Sequence, residues 1–443
     1  MMTKVPLSTG SNPNTDTRVD NPRLRNWFVG EKAIHRLPSL AELTLLSDCR
    51  AIHETTFDSG SYIVVTKGQV VRVQFRGSIE HISNINNSDG AVRISENQAN
   101  EVTIVNGSSA YVYKQSTAEF TQLTTTHGFD LINPVDTVVL DTFTIIVGGS
   151  DKKWTVSSPN NALTYNTSDV QVTDDDMGNL VGVAELDNNI FIFGGGGVQR
   201  WVPSIARTTY DFPFDIDPSF RAAYGCLSTG SIVSETSVVY FLAENHVVQS
   251  LSAQGLTPIS APGMSKEISR YAETNFSNGS MLEFQGRYFY QLSFDENSWV
   301  FAEDTNKWSE SDDMIIDSVG DTIVTSEGVF TLTDMHTSKA CEYVSVVTRP
   351  SESTAPYRRV LNSVKLGLIQ GLSQVDEPQH VELAVSQDNI RWSNNVKREI
   401  GLTGDRQANN VWRMNLSAQQ FTFRIRYYGS LDLTLESLTI DIK

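Results

Sequence analysis

The sequence predicts an all-β protein: a β-propeller of six or seven blades, an appended antiparallel domain of β-sandwich type, and an extended N-terminal arm. Three observations predict it. Hairpin units of similar build recur with starts at 57, 102, 138, 183, 232, 281 and 316, separations of 35 to 49 residues. The same turn chemistry falls at the same place inside the units. Beyond residue 356 the texture changes to longer strands of strict alternation. Periods of roughly 40–50 residues with several strands each suit a propeller, because one meander cannot bury both of its faces and needs copies of itself. Hairpins placed by chance in a β-sandwich or an irregular all-β fold are the alternative, and the recurrence of the turns weighs against it.

The clearest unit is 183–202, VAELDNNIFIFGGGGVQRWV. It holds apolar runs 183–186, 190–193 and 198–202, separated by Asp187-Asn188-Asn189 and by four glycines. Asx residues and glycine tolerate the left-handed conformation of a tight hairpin, and Ile, Val, Phe and Trp suit a pleated, half-buried surface. The copies are 57–73 (FDSGSYIVVTKGQVVRV), 102–113 (VTIVNGSSAYVY) and 138–156 (VVLDTFTIIVGGSDKKWTV), the last with Trp154 where the 183–202 unit has Trp201. Then come 232–251 with Ala243-Glu244-Asn245 at the turn, 281–308 with a hairpin around Asp304-Thr305-Asn306, and 316–332.

Taken in order, residues 1 to about 22 are a polar arm of Ser, Thr, Asn, Asp and Pro, expected to be extended or disordered unless a partner holds it. LRNWFV (24–29) carries the first apolar anchor, Trp27-Phe28. SLAELTLLS (39–47) reads as a short helix, with Leu40, Leu43 and Leu46 on one face and Ser39 and Glu42 forming a capping box. SKEISRYAET (265–274) is a second helical segment, flanked by Pro262-Gly263. A linker-like stretch at 348–356 precedes strands at 381–386, 421–428 and 433–442. In FTFRIRYY, Arg424 and Arg426 share one face while Phe423, Ile425 and Tyr427 take the other. The division is therefore 1–50 (arm and short helix), 51–348 (propeller) and 349–443 (C-terminal β domain, joined by an N-terminal strand).

The chain carries 34 basic and 52 acidic side chains, a net charge of −18. The charge is uneven: residues 1–50 have 7 basic and 5 acidic groups, and residues 357–443 have 11 and 9. Residues 51–356 hold the remaining 16 basic and 38 acidic groups, a balance of −22. Tight nucleic-acid binding needs Lys and Arg to neutralise phosphates, so the repeat region is a poor DNA binder. No apolar stretch approaches the roughly 20 residues of a membrane-spanning helix. The opening residues lack a signal-peptide core, and the expectation is a soluble protein not exported by the usual bacterial route. Cys49, Cys226 and Cys341 are too few and scattered for a disulfide framework or a metal site, and are read as small buried apolar residues.

No catalytic signature emerges. The seven histidines are spread singly, without metal-ligand spacing. There is no nucleophile elbow, dinucleotide fingerprint or phosphate loop, since Gly194 to Gly197 lie in a hairpin and open no helix. YDFPFDIDP (210–218) is rich in Asp, but its Pro and Phe spacers break any calcium-loop pattern. Asp174-Asp175-Asp176 reads as a solvated loop tip. Ser386-Gln387-Asp388-Asn389-Ile390-Arg391-Trp392 resembles the Asp-box turn of sialidase-like propellers, with Ile390 in place of its glycine; in that family the box is a folding turn. A glycosidase needs two flanking carboxylates, and no spacing singles out a pair. The expectation is a non-enzyme without cofactor or metal.

The order of features resembles the packaged-DNA stabilisation protein, the tail hub or nozzle, of short-tailed (podovirus-like) bacteriophages. The likeness lies in the polar arm leading into Trp27-Phe28-Val29 and in the meander from Val181-Gly182-Val183 to Trp201. It continues through Ala223-Tyr224-Gly225, Tyr240-Phe241-Leu242, Pro258-Ile259-Ser260 and Ile268-Ser269-Arg270-Tyr271 to Ser386-Gln387-Asp388 and Leu438-Thr439-Ile440. The resemblance implies a virion protein made in the bacterial host cytoplasm. It implies a ring of copies, a hexamer, below the portal and its adaptor (head-to-tail connector) protein, retaining packaged genome and passing it out on infection. Double-stranded DNA would pass without adhering, by like-charge repulsion, and no stable membrane insertion is implied. A tail fibre, spike or needle protein is a further partner it allows. Trp27, Phe28, Trp412, Tyr427 and Tyr428 are then candidate interface anchors, with ordinary core as the alternative for each and the commoner one taken singly. Asp174, Asp175, Asp176, Asp211, Asp215 and Asp217 are candidate acidic channel or loop residues. A glycan-binding or glycan-cleaving propeller of a phage tail is the alternative function.

Overall fold

A computed structural model describes the chain except for residues 1, 8–9, 13–21, 88–90, 205–211, 223, 273–275, 295–296, 338, 349–357, 372–378 and 402–409. Its strands form seven antiparallel four-stranded blades, which fixes the blade number that the repeats left at six or seven. Blade 1 comprises Cys49–Glu54, Ser61–Thr66, Gln69–Gln74 and Ile79–Asn84. Blade 2 runs through Arg93–Glu96, Glu101–Val105, Ala110–Lys114 and Glu119–Gln122. Blade 3 has Pro134–Leu140, Phe143–Gly148, Lys153–Ser158 and Asn161–Val172; blade 4 has Leu180–Leu186, Asn189–Gly194, Val198–Pro203 and Phe214–Ala222. Blade 5 is Val233–Glu235, Val238–Leu242, Val248–Ser252 and Gly255–Pro258. Blade 6 is Phe276–Phe284, Arg287–Phe294, Ser298–Ala302 and Lys307–Ser311. Three strands of blade 7 are Asp317–Val319, Thr322–Val324 and Gly328–Thr333.

Strand periodicity explains how the blades hold together. Successive side chains point to opposite faces, so a strand buried between two neighbours is apolar throughout. In blade 1, Ile63 and Val65 pack on Val102 and Ile104 of blade 2, while Tyr62 and Val64 pack on Val324 and Val329 of blade 7. In blade 4, Ile190 and Ile192 meet blade 3, and Phe191 and Phe193 meet blade 5. Trp154 and Trp201, matched by the repeat, meet edge to face at 4.9 Å across the seam between blades 3 and 4. The expected tight turn forms: Asp187 (φ 51°) and Asn188 (φ 61°) are both left-handed between the paired Leu186 and Asn189.

The fourth strand of blade 7 is Ser39–Leu45, paired antiparallel with Gly328–Thr333. The segment expected to be a helix is thus the strand that closes the propeller. Its leucines are used by two seams: Leu40 packs between blades 6 and 7, Leu43 and Leu46 between blades 7 and 1. Ser39 caps no helix; its Oγ bonds His336 Nδ1 at 2.9 Å. The second helical expectation holds over 265–272: the helix is Pro262–Ala272, which takes in the Pro262-Gly263 pair expected to flank it, and 273–274 lie outside the described residues; Met264 and Ile268 are buried beside blades 5 and 6.

The C-terminal residues form the sandwich. One sheet orders Trp27–Val29, Ile34–Arg36, Leu433–Ile442, Arg359–Gln370 and Val411–Ala418, with Met2–Val5 also paired to Leu433–Ile442. The other orders Lys339–Val344, Thr422–Gly429, Gln379–Ser386 and Val396–Gly401. That second sheet is continuous with blade 6: Arg23–Arg25 pairs antiparallel with Lys339–Val344 and parallel with Lys307–Ser311. The N-terminal residues therefore do not form a free arm where they are described. Val5 and Leu7 are buried, the Ser11 amide donates to Trp308 O at 2.6 Å, and Ser11 Oγ donates to Leu24 O at 3.1 Å.

Closure has a narrow steric tolerance. A Cβ on Gly328 would lie 2.4 Å from the carbonyl oxygen of Thr44 on the closing strand. Gly328→Val is expected to destabilise the chain by roughly 1–3 kcal/mol, with the closing strand losing protection first in hydrogen exchange. Unchanged protection of residues 39–45 would contradict this account.

Candidate functional site

The inner strands of the blades run in one direction round the axis, so residues at their starts crowd one end of it. Arg93 begins the inner strand of blade 2 and crosses the axis. Its guanidinium donates to the carbonyl oxygens of Thr229 and, at 2.7 Å, Ile232, both just ahead of blade 5, and lies 3.7 Å from Asp136 Oδ1. Asp136 (blade 3) accepts from the amides of Thr137 and Val183, each at 2.9 Å; Asp317 (blade 7) accepts from those of Ser318 at 2.9 Å and Ile52 at 3.0 Å. Each carboxylate thus ties its own inner strand to the next blade's. A Cβ on Gly182 would fall 2.6 Å from Asp136 Oδ2, so this approach requires glycine there. Burial raises Asp136 to about 6 against the opposing pull of Arg93, and raises Asp317 as well. Above this floor the axis opens into a cavity of about 350 Å³.

The predicted acidic residues that are described lie elsewhere, mostly around blade 4, and Asp175, Asp176 and Asp217 are answered by cations. Asp174 Oδ2 accepts from Gln199 Nε2 at 2.8 Å, Asp175 pairs with Lys152 Nζ at 3.2 Å, and Asp176 pairs with Arg221. Asp215 is exposed on the outermost strand. Hydrogen bonds from Ser219 and Arg200 hold Asp217 down at about 2. Asp211 lies outside the described residues. The loop reading of 174–176 stands, but these carboxylates do not converge on the propeller's own channel.

Four of the five predicted interface aromatics are core. Trp27, Trp412 and Tyr427 are buried within the sandwich, and Phe28 is buried between blades 6 and 7, edge-on to Phe289 at 5.1 Å. Tyr428 alone is exposed, at 68%. It stands on the open face of the sandwich sheet beside a row that sequence reasoning missed. Across five paired strands, Arg25, Glu342, Arg426, Glu382 and Lys397 alternate in sign. The alternation of FTFRIRYY signalled that face; its partners come from distant strands.

Two constellations resemble hydrolytic chemistry. Ser39 Oγ meets His336 Nδ1 at 2.9 Å, and His336 Nε2 lies 3.5 Å from Asp432 Oδ1. A nucleophile must reach substrate, yet Ser39 is 1% exposed and sits on the closing strand. The set acts as a staple between propeller and sandwich, and His336 holds Asp432 below its ordinary range. The Asp-box-like segment is a turn: Asp388 Oδ1 accepts from the amides of Ile390 at 2.9 Å and Arg391 at 2.7 Å, and the left-handed residue is Asn389 (φ 63°). All three cysteines are buried, with the thiol of Cys49 pushed up to about 12 and those of Cys226 and Cys341 to about 11. Among the described residues no group of three or more His, Cys, Asp or Glu is placed to hold a metal, and no helix is long and apolar enough to cross a membrane.

Residues 41–333 match the family model described as Bacteriophage P22 Gp10, beta-propeller, and residues 354–443 match that described as Bacteriophage P22 Gp10, beta-sandwich. No curated protein matches the chain. Among solved structures, a virginiamycin B lyase from Staphylococcus aureus is similar over 65% of this chain and 95% of its own, at 10% identity and a TM-score of 0.45. U3-55K is similar over 64% and 89%, at 9% identity and a TM-score of 0.42. The computationally designed Ika8 protein is similar over 66% and 99%, at 9% identity and a TM-score of 0.40.

The buried carboxylate on the axis gives a signed expectation. Asp136 titrates at about 6 in the folded protein, above the ordinary 3.8. Between those values the folded state keeps a proton that the unfolded state releases, so this group favours folding at low pH and loses that contribution as pH rises through its folded value. Relative to wild type, Asp136→Asn should gain stability between about pH 4 and pH 7, by up to about 3 kcal/mol. Urea unfolding at a series of pH values measures it; a pH-independent difference contradicts the burial argument.

Proposed function

The chain belongs to the bacteriophage P22 Gp10 family of phage structural tail proteins, and from that premise we propose that it forms the tail nozzle of a short-tailed phage. In this reading several copies, six by family resemblance, assemble as a ring below the adaptor of the portal. The ring retains packaged genome and gives it passage at ejection. The observation that carries the reading is a family match extending over both the propeller and the sandwich.

Physical features support it. Residues 51–356 balance at −22, so duplex DNA meets like charge and gains no counterion release by adhering. Arg93 closes the floor of each propeller's axis, so the DNA path lies between copies and not through one of them. The shared sheet through Arg23–Arg25 makes propeller and sandwich one stiff block, as a wall under pressure requires. The role is structural, and no step of it needs catalysis.

Averaged images of tails containing the chain should show a closed ring of it on the tail axis next to the adaptor. A single copy, or copies carried on peripheral fibres, would sink the proposal. Turnover of any member of a panel of bacterial surface glycans would favour the glycan-cleaving alternative. The purified chain is expected not to retard duplex DNA even at about 50 mM salt, where nonspecific binders are strongest; a salt-dependent shift in gel mobility would contradict a non-adhesive wall.

A further inference from the structure

Blade 2 holds a polar cluster in which an amine, a side-chain amide and one carboxylate meet. The ladder between its first two strands reaches the Glu96 and Val102 pair, and the Asn97 amide extends it one step by donating to Glu101 O at 3.1 Å. On its other side Glu101 is paired with Lys114 of the third strand. Residues paired directly across strands point to the same face. Asn97, Glu101 and Lys114 thus form a row across the sheet, with the glutamate in the middle.

The carboxylate bridges the other two. Its Oε2 accepts from Asn97 Nδ2 at 2.9 Å and from the Ala162 amide of blade 3 at 2.6 Å, and its Oε1 lies 3.1 Å from Lys114 Nζ. Asn97 Oδ1 accepts from two backbone amides, those of Ala99 and Glu101, each at 3.0 Å. Asn97 is 3% and Glu101 5% exposed. Strand alternation sets Val105 on the face of Glu101, and Ala110 and Val112 on that of Lys114. These residues pack with Ala162 and Tyr165 in the seam between blades 2 and 3, an apolar surrounding that keeps water away.

An Asx turn beside an ion pair uses these contacts one at a time. Together they supply each part that an acyl transfer needs: an amine nucleophile, an amide carbon, two amides aimed at its oxygen, and a proton carrier touching both nitrogens. We propose that the folded chain forms an isopeptide bond between Lys114 Nζ and Asn97 Cγ, with Glu101 as its catalytic residue. Lys114 gives a proton to Glu101 Oε1, and its four-carbon stem swings the freed amine onto Cγ. The carbonyl electrons move to Oδ1, where the amides of Ala99 and Glu101 hold the charge. The carbonyl then re-forms and the Cγ–Nδ2 bond breaks. Two protons in all leave Nζ and pass through Glu101 to Nδ2, which departs as ammonium; nothing is oxidised or reduced. The event happens once per chain, and the bond ties the end of the blade's inner strand to its third strand across the second.

Tryptic digestion of the purified, folded full chain with mass measurement tests this. Between Arg93 and Lys152 trypsin has Lys114 as its one site of cleavage. A chain carrying the bond should therefore give 94–152 uncut at 114 and lighter by one ammonia, about 17 Da. Lys114→Arg keeps a cation facing Glu101 but lacks the amine, and should be cut at 114 with no mass lost. Glu101→Gln, which cannot carry the proton, should slow formation by about a hundredfold or more and leave most of the peptide cut at Lys114. Circular dichroism checks that both variants fold, and the wild-type digest decides by itself whether the bond exists. Cleavage at Lys114 with full mass in the wild type overturns the proposal. So does loss of ammonia with Lys114 still cut, the mark of a succinimide at Asn97, or a bond formed undiminished in Glu101→Gln.

Discussion

No blade of this protein can bury both of its apolar faces alone, and the ring that solves the problem has to be shut. Residues such as Ile63 and Tyr62 are neighbours in sequence but belong to opposite seams, so an open end would expose a whole sheet face to water at about 25 cal/mol per Å² of apolar surface. The closing strand Ser39–Leu45 supplies the last ladder of hydrogen bonds and carries leucines into the two seams that flank blade 7. Every other element, including the axial polar network, presupposes that closure.

The residues ahead of the closing strand extend the same logic to the sandwich. Arg23–Arg25 lies between blade 6 and the sandwich sheet, and charge fixes its register: Arg23 grips Glu310 with two hydrogen bonds of 2.9 Å each. Desolvation pushes Glu310 up and Arg23 answers it. Asn26, in the left-handed conformation at φ 57°, accepts from the Asp312 amide at 3.0 Å and donates to Ala340 O at 2.6 Å. These contacts turn two packing units into one continuous sheet, which a hinge of loop residues would not do.

Much of the fold was legible because it is local. Turn pairs such as Asp187-Asn188, apolar runs between them and the matched Trp154 and Trp201 all lie within a few residues of their partners or at the repeat distance. What was misread depends on partners hundreds of residues away. SLAELTLLS has the spacing and capping pattern of a helix, and only the waiting edge of Gly328–Thr333 makes it a strand; tertiary context overrode propensity. Trp27 and Phe28, the first apolar pair after a polar arm, read as candidate interface anchors or as core, and nothing local decides between the two; one enters the sandwich core and the other the seam between blades 6 and 7. The axial set of Arg93, Asp136, Gly182 and Asp317 has no motif at all, since its members sit on four different blades. Residues 174–176 were readable as a loop, but not their pairing with Lys152, Gln199 and Arg221.

The pairing of Met2–Val5 with residues 438–441 has a temporal consequence. A ribosome adds roughly 5–20 residues per second, so the early strand leaves the exit tunnel tens of seconds before its mate exists. During that interval blades 1 to 6 can accumulate in order, while the segment that will clasp both ends stays uncommitted. The nascent polypeptide thus presents an unpaired edge at residues 2–5 until residues 438–441 have been made.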